Sequence, residues 1–205
     1  MSAVRVKICG ITRLEDALAA VRLGADALGF NFWPGSRRFV EPAAARAIVA
    51  QLPPFVTSVG VFVNQPSAAV LAATTRSGVG AIQLHGDEPP RECEGYPLPV
   101  IKALRVSGPE SLAAMERYRV RALLLDAPSA EFGGSGQTFD WALAAEAARR
   151  ATVILAGGLT PANVAAAVRA VRPWAVDVAS GVESSPGVKD ADKMRRFVEG
   201  AKESA

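Results

Sequence analysis

Histidine is nearly absent and cysteine is scarce: the 205 residues include one His and two Cys. So few soft ligands exclude a disulfide scaffold and a structural zinc site. Cys9 and Cys93 read as reduced thiols, which makes the cytoplasm the expected location. No apolar run reaches about 18 residues, so no membrane span is expected. The first residues alternate like a strand, and no charged-then-apolar leader is expected. Aromatics are only 6 % of the chain and the net charge is +3. Lys and Arg are scattered, with no basic stripe between aromatics, so nucleic acid is not an expected partner. Linkers and low-complexity segments are also missing, and a single domain over 1–205 follows.

What the chain does have is a rhythm. Half its residues are hydrophobic, and they fall in short runs near 4–9, 26–31, 57–62, 80–84, 98–103, 121–126, 152–156 and 174–179. Helical patterns separate these runs, a spacing that suits strand–loop–helix crossover units. Eight such units imply an α/β protein with a closed (β/α)8 TIM barrel, near the lower size limit for that fold. The alternative is an open, doubly wound sheet. No G-x-G-x-x-G follows the first strand, which counts against it.

Several helix signals support the pattern. Leu14, Ala17, Leu18 and Val21 share a helical face that Gly24 closes. Thr12-x-x-Glu15 and Ser107-x-x-Glu110 read as capping boxes. Pro42, Pro66 and Pro161 stand where a first helical residue belongs, with Thr160 as a cap before Pro161. A short helix near 89–94 would carry Cys93 as a packing residue. Met194, Phe197, Val198 and Ala201 form the buried stripe of the last helix.

Barrels of this type keep their chemistry at the carboxyl ends of the strands. Cys9 ends the first strand, either as a functional thiol or as a small buried one. Asp126 ends the sixth, as a helix cap, a structural ion or a catalytic group. His85 ends the fourth, as a proton carrier or a hydrogen-bonded wall residue. Lys7 shares a face with Cys9 one layer deeper, and a buried charge there needs a partner. Asp177, on the eighth strand and so next to the first in a closed barrel, is the expected one. Arg37-Arg38 in the loop after strand two is either solvated surface or a planar clamp for a carboxylate. Glycines follow the last three strands, in Gly133-Gly-Ser-Gly136, Ala156-Gly-Gly158 and Ser180-Gly181. Such loops let backbone N–H groups approach an anion, and phosphate is the expected one.

Seven motifs occur in order along nearly the whole chain. They are Lys7-Ile-Cys-Gly-Ile-Thr12, Gly29-Phe-Asn-Phe32 with Ser36-Arg-Arg38, Gly60-Val-Phe-Val-Asn64, Gln83-Leu-His-Gly86, Gly133-Gly-Ser-Gly136 with Phe139-Asp-Trp141, Ala156-Gly-Gly-Leu-Thr-Pro161, and Val176-Asp-Val-Ala-Ser-Gly-Val-Glu183. Together they resemble the phosphoribosylanthranilate isomerase family of tryptophan biosynthesis. Ala156 and Ala179 depart from it, standing where Ser is common.

The resemblance implies an Amadori rearrangement of N-(5-phosphoribosyl)anthranilate to 1-(2-carboxyphenylamino)-1-deoxyribulose 5-phosphate. One acid and one base suffice, with no metal or redox cofactor. By position, Cys9 is the implied base and Asp126 the implied acid. Arg38 would grip the substrate carboxylate, with Arg37 peripheral, and His85 and Asp177 would stand near the sugar. The backbone at Gly134, Gly136, Gly157, Gly158, Ser180 and Gly181 would hold the phosphate. A free thiol ordinarily titrates near about 8.5 and a carboxyl near about 3.9, so the site has to favour thiolate at one and the protonated acid at the other.

Three neighbouring readings stand beside this one. A metal-dependent epimerase would need more His ligands than the chain has. A histidine/tryptophan isomerase would be expected to carry a carboxylate at the place of Cys9. A non-catalytic phosphosugar-binding module would need neither Cys9 nor Asp126. The expected assembly is a monomer or a homodimer.

Overall fold

A computed structural model describes residues 4–108, 110–126 and 141–204. Eight parallel strands follow one another around a closed barrel: β1 (Arg5–Cys9), β2 (Ala27–Asn31), β3 (Thr57–Phe62), β4 (Ala81–Leu84), β5 (Val100–Arg105), β6 (Ala122–Asp126), β7 (Val153–Leu155) and β8 (Ala175–Val178). Strand β1 pairs with both β2 and β8, which closes the ring. The open doubly wound sheet is thereby excluded. The outer helices are α1 (Leu14–Arg22), α2 (Pro42–Val49), α3 (Ser67–Ser77), α4 (Glu110–Met115), α5 (Trp141–Arg150), α6 (Val164–Val171) and α7 (Ala191–Lys202). A short hairpin, β9 (Glu183–Ser185) with β10 (Val188–Lys189), follows β8; the sequence pattern does not announce it.

Side chains two apart on a strand share a face. On β1, Val6 and Ile8 therefore join the large core between barrel and helices, with Phe30, Phe62 and Phe197. Lys7 and Cys9 are left facing inward. Across the barrel a smaller inner cluster holds Ala103, Ala122, Leu124, Ile154, Ala156 and Ala175. Small residues there leave room above them for polar groups at the strand ends.

Local signals behave unevenly. Pro42 is the first residue of α2, as expected. Pro66 instead caps α3, which opens at Ser67. Thr12 does not cap α1: its hydroxyl donates to the Gly187 carbonyl at 2.6 Å, and Arg13 holds the cap position without a side-chain bond. A tertiary contact to the hairpin has replaced the local one. Ser107 forms no reciprocal box either. Its hydroxyl donates to the Glu110 carboxylate, and its N–H donates to Ser111 Oγ. Helix α6 opens at Val164, later than Thr160-Pro161 suggests. Asn163 Oδ1 accepts from the Thr160 N–H, and Thr160 Oγ1 accepts from the Ala162 N–H, building a turn first. The segment near 89–94 is a single 3-10 turn, Pro90–Cys93, with Cys93 buried.

The expected partnership inside the barrel is present. Lys7 Nζ donates to Asp177 Oδ1 at 2.8 Å, with both side chains under a tenth exposed. Burial pushes the Lys7 ammonium down, but the charges and hydrogen bonds of Asp177 and Cys9 together outweigh this and hold it above the ordinary lysine value. Because the folded value is raised, the pair's contribution is complete below the ordinary lysine value of about 10.4 and is lost as pH rises through the folded one. Asp177→Ala strands a buried cation and is expected to cost about 3–5 kcal/mol, read by denaturant unfolding at pH 7. A double variant replacing both partners with apolar residues should recover much of that loss.

Candidate active site

A cavity of about 470 Å³ opens at the carboxyl ends of the strands. Its wall brings together Cys9, Arg38, His85, Asp126, Gly157, Gly158, Asp177 and Ser180, all singled out from sequence. Gly181 is not on that wall. A Cβ there would collide with the Leu159 carbonyl, so this glycine lets the loop after β8 pass close to the loop after β7. Gly134 and Gly136 lie outside the described residues.

Cys9 emerges from β1 beside Lys7. Gly29 on β2 makes the space: a Cβ there would come within 2.7 Å of Cys9 Sγ and 3.2 Å of Lys7 Nζ. The nearby cation that a thiolate base requires is therefore in place. Burial nonetheless pushes the Cys9 thiol up more than Lys7 and Lys189 pull it down, so the net direction is above the ordinary value. The thiol is therefore the main form at neutral pH.

Asp126 faces His85 across the mouth, with His85 Nε2 3.2 Å from Asp126 Oδ2. The other ring nitrogen, Nδ1, lies 2.7 Å from the Gln83 side-chain amide. If Gln83 donates, the imidazole proton sits on Nε2, toward the carboxyl. His85 is thus tied to Asp126 more directly than its place in the strand suggests. Gln83 was legible only as part of a motif. It is buried on β4, and alternation from His85 would have placed it on the same face.

Arg38 reaches the cavity from the loop after β2, while Arg37 is exposed at its rim. Arg38 meets Glu183, which the sequence reading carried only as the end of a motif, and Glu183 meets Lys189, which it did not single out. Glu183 accepts from Arg38 Nε and Nη2, each at 2.8 Å, and from Lys189 Nζ, also at 2.8 Å. Burial pushes the Glu183 carboxyl up, but the bonds from Arg38 and the charge of Lys189 outweigh it and hold it below the usual range. Burial pushes the Lys189 ammonium down despite Glu183.

The anion side of the cavity is backbone. Gly157 and Gly158 adopt φ of +77° and +66°, a left-handed pair that L side chains avoid. Among the described residues no hydrogen bond takes up the N–H of Gly157, Gly158, Ser180 or Gly181. Successive free N–H groups at such a bend form an anion nest.

A thiol beside an ammonium, a carboxyl against an imidazole and an anion nest share one barrel mouth, the arrangement of acid/base enzymes that work on phosphorylated sugars. Comparison with known proteins narrows this. A sequence profile described as N-(5'-phosphoribosyl)anthranilate (PRA) isomerase matches residues 6–200. The N-(5'-phosphoribosyl)anthranilate isomerase of Pelobacter propionicus is 54 % identical over 203 residues, covering 98 % of this chain and 97 % of its own. The crystal structure of the Thermotoga maritima phosphoribosylanthranilate isomerase superposes with a TM-score of 0.92 at 48 % identity, covering 98 % of this chain and 99 % of its own. Another isomerase structure, in complex with reduced 1-(o-carboxyphenylamino)-1-deoxyribulose 5-phosphate, gives a TM-score of 0.89 at 45 % identity, with 98 % and 99 % covered. The chain belongs to the N-(5'-phosphoribosyl)anthranilate isomerase family, and its activity is that isomerisation in tryptophan biosynthesis.

The two thiols should differ in reactivity. Burial pushes Cys93 up to about 11 and the side chain is buried away from the cavity wall, whereas Cys9 lines it. Iodoacetamide followed by mass spectrometry should mark Cys9 first. Its rate should climb about tenfold per pH unit from 7 upward, because thiolate is the reacting form. A flat rate above pH 7 would mean that the thiolate is already dominant.

Proposed function

We propose that Cys9 and Asp126 are the base and the acid of the family's Amadori rearrangement. The observation that carries this is their placement: β1 and β6 deliver a cation-flanked thiol and an imidazole-paired carboxyl to one cavity. Asp126 protonates the ribose ring oxygen, and the C1–O bond breaks as the nitrogen lone pair forms a C1 iminium. His85, hydrogen-bonded to Asp126, orients the carboxyl. Cys9 thiolate then removes the proton from C2, and the electron pair moves to form the enolamine. Protonation at C1 with loss of the C2 hydroxyl proton gives the ketone, so no oxidant or reductant is consumed. Lys7 and Lys189 stabilise the thiolate when it forms, and Asp177 keeps Lys7 charged and in place.

The rest of the cavity binds. Arg38 takes the aromatic carboxylate, since its guanidinium matches a planar anion. The free N–H groups at Gly157, Gly158, Ser180 and Gly181, with Gly134 and Gly136 as further candidates, take the phosphate. Holding both ends of the substrate positions the reacting carbons between base and acid.

The test is the fluorescence loss of freshly generated phosphoribosylanthranilate. Cys9→Ser and Asp126→Asn should each lower kcat by about 10²–10⁴-fold. The wild-type kcat/KM profile should carry an ionisation at the raised Cys9 value, and Cys9→Ser should remove it. Activity that survives both substitutions would overturn the acid/base assignment. Arg38→Met should act mainly on KM.

We further propose a homodimer working in the cytoplasm. A Thermotoga maritima structure, 44 % identical, is described as monomers generated from a dimeric phosphoribosylanthranilate isomerase. Phe55 is 96 % exposed in the loop before β3, and Trp174 is 47 % exposed just before β8. Both therefore lie at the amino ends of strands, on the face opposite the cavity. No helix among the described residues is long and apolar enough to cross a membrane. Phe55→Asp should shift the mass measured by light scattering from dimer to monomer and leave kcat unchanged. A wild-type monomer at micromolar concentration would refute the dimer.

A further inference from the structure

The catalytic scheme gives Glu183 no task. Yet Glu183 is 5 % exposed at its side chain, and Lys189 beside it is fully buried. Both lie on the β9–β10 hairpin, whose turn contains Gly187 at φ +81°. A carboxylate that served only to anchor this hairpin would need one cation. Glu183 has two, plus the Gly187 N–H at 3.3 Å. With Lys189 protonated, the three side chains sum to one net positive charge beside the cavity.

The geometry of the Arg38 contact matters more than its strength. Glu183 occupies the Nε–Nη2 edge of the guanidinium. Nη1 has no hydrogen-bond partner among the described residues, and Arg38 lines the cavity. The plane of the guanidinium is therefore fixed from behind, and its end-on edge is left for a ligand. The arginine stem is fixed as well. It lies over Gly10, the residue after Cys9, at φ +78°, where any Cβ would collide with Arg38 Cδ. Lys189 Nζ also donates to the Ala179 carbonyl at 3.2 Å, and Thr12 ties the hairpin turn to the loop after β1. A free arginine side chain loses rotamer freedom when a ligand immobilises it. Here the ordering precedes binding.

We propose that Glu183 is a positioning residue that sets specificity for the carboxylate-bearing aromatic half of the substrate. It presents the end-on edge of Arg38 to that carboxylate, and Lys189 keeps Glu183 ionised in its buried position. The proposal rests on Arg38 as the carboxylate site.

The experiment compares three probes on wild type, Glu183→Gln, Glu183→Asp and Arg38→Met. The probes are reduced 1-(o-carboxyphenylamino)-1-deoxyribulose 5-phosphate, its counterpart lacking the carboxyl group, and inorganic phosphate. Wild type should prefer the carboxylated probe. Glu183→Gln should cut that preference about tenfold or more, the scale of one charge-assisted hydrogen bond, while phosphate affinity stays unchanged. KM should rise more than kcat falls. Glu183→Asp, which keeps the charge on a shorter stem, should give an intermediate loss, so the proposal remains testable if Glu183→Gln fails to fold. In an Arg38→Met background, Glu183→Gln should change the preference no further. Equal weakening of all three probes, or an unchanged preference, would overturn the proposal by making Glu183 a structural anchor only. No preference in the wild type would overturn the Arg38 assignment itself, a result distinguishable from the other two.

Discussion

The ion pair between Lys7 and Asp177 is the constraint on which the barrel mouth depends. It joins the first strand to the last through their side chains, at the same register position where the backbones pair. An unpaired ammonium inside a barrel costs several kcal/mol, while a paired one merely approaches neutrality. The pair is therefore poor evidence for extra stability. Its value lies in position. It places a permanent positive charge under Cys9 without exposing that charge to solvent, and the inner cluster of small apolar residues on β5 to β8 leaves the space above it open.

Two opposed demands are met at Cys9 by distance and depth. Burial disfavours the thiolate, and Lys7 with Lys189 favours it. A thiol that is mostly protonated at rest resists oxidation and stray alkylation, since reactivity follows the thiolate. The substrate carries a phosphate and a carboxylate, both anionic, and neither would help a thiolate form. Under the proposed assignment their charges are met by separate partners, the nest after β7 and β8 and the guanidinium after β2, so the cations near the sulfur remain available to it.

Much of this was legible in the sequence because parallel barrel strands are short apolar runs and their polar residues are conspicuous. Lys7, Asp126 and Asp177 each interrupt such a run, and eight regularly spaced runs imply that the first and last strands are neighbours. The Lys7–Asp177 contact follows from those two facts. Cap residues were less legible. Thr12 fits a capping box by type and spacing, yet a carbonyl 175 residues away takes its hydroxyl. Glu183 and Lys189 were not legible as site residues at all. They sit in a seven-residue hairpin, 183–189, with no strand-like run, and the Arg38 contact spans 145 positions. Gln83 shows the intermediate case: its face followed from alternation, but its amide contact with His85 did not.

The closure of β1 against β8 also has a temporal side. Lys7 precedes its partner by 170 positions in the chain. Cys9, Thr12 and Arg38 likewise wait for the segment from 177 to 189. Non-local contacts of this kind form late, because the loop must close before they repay its entropy. A nascent or prematurely ended chain that lacks the last strand carries a lysine with nothing to neutralise it in a half-built interior. Such a chain has the Cys9 thiol but no finished cavity around it, and its incompleteness is marked by a charge without its partner.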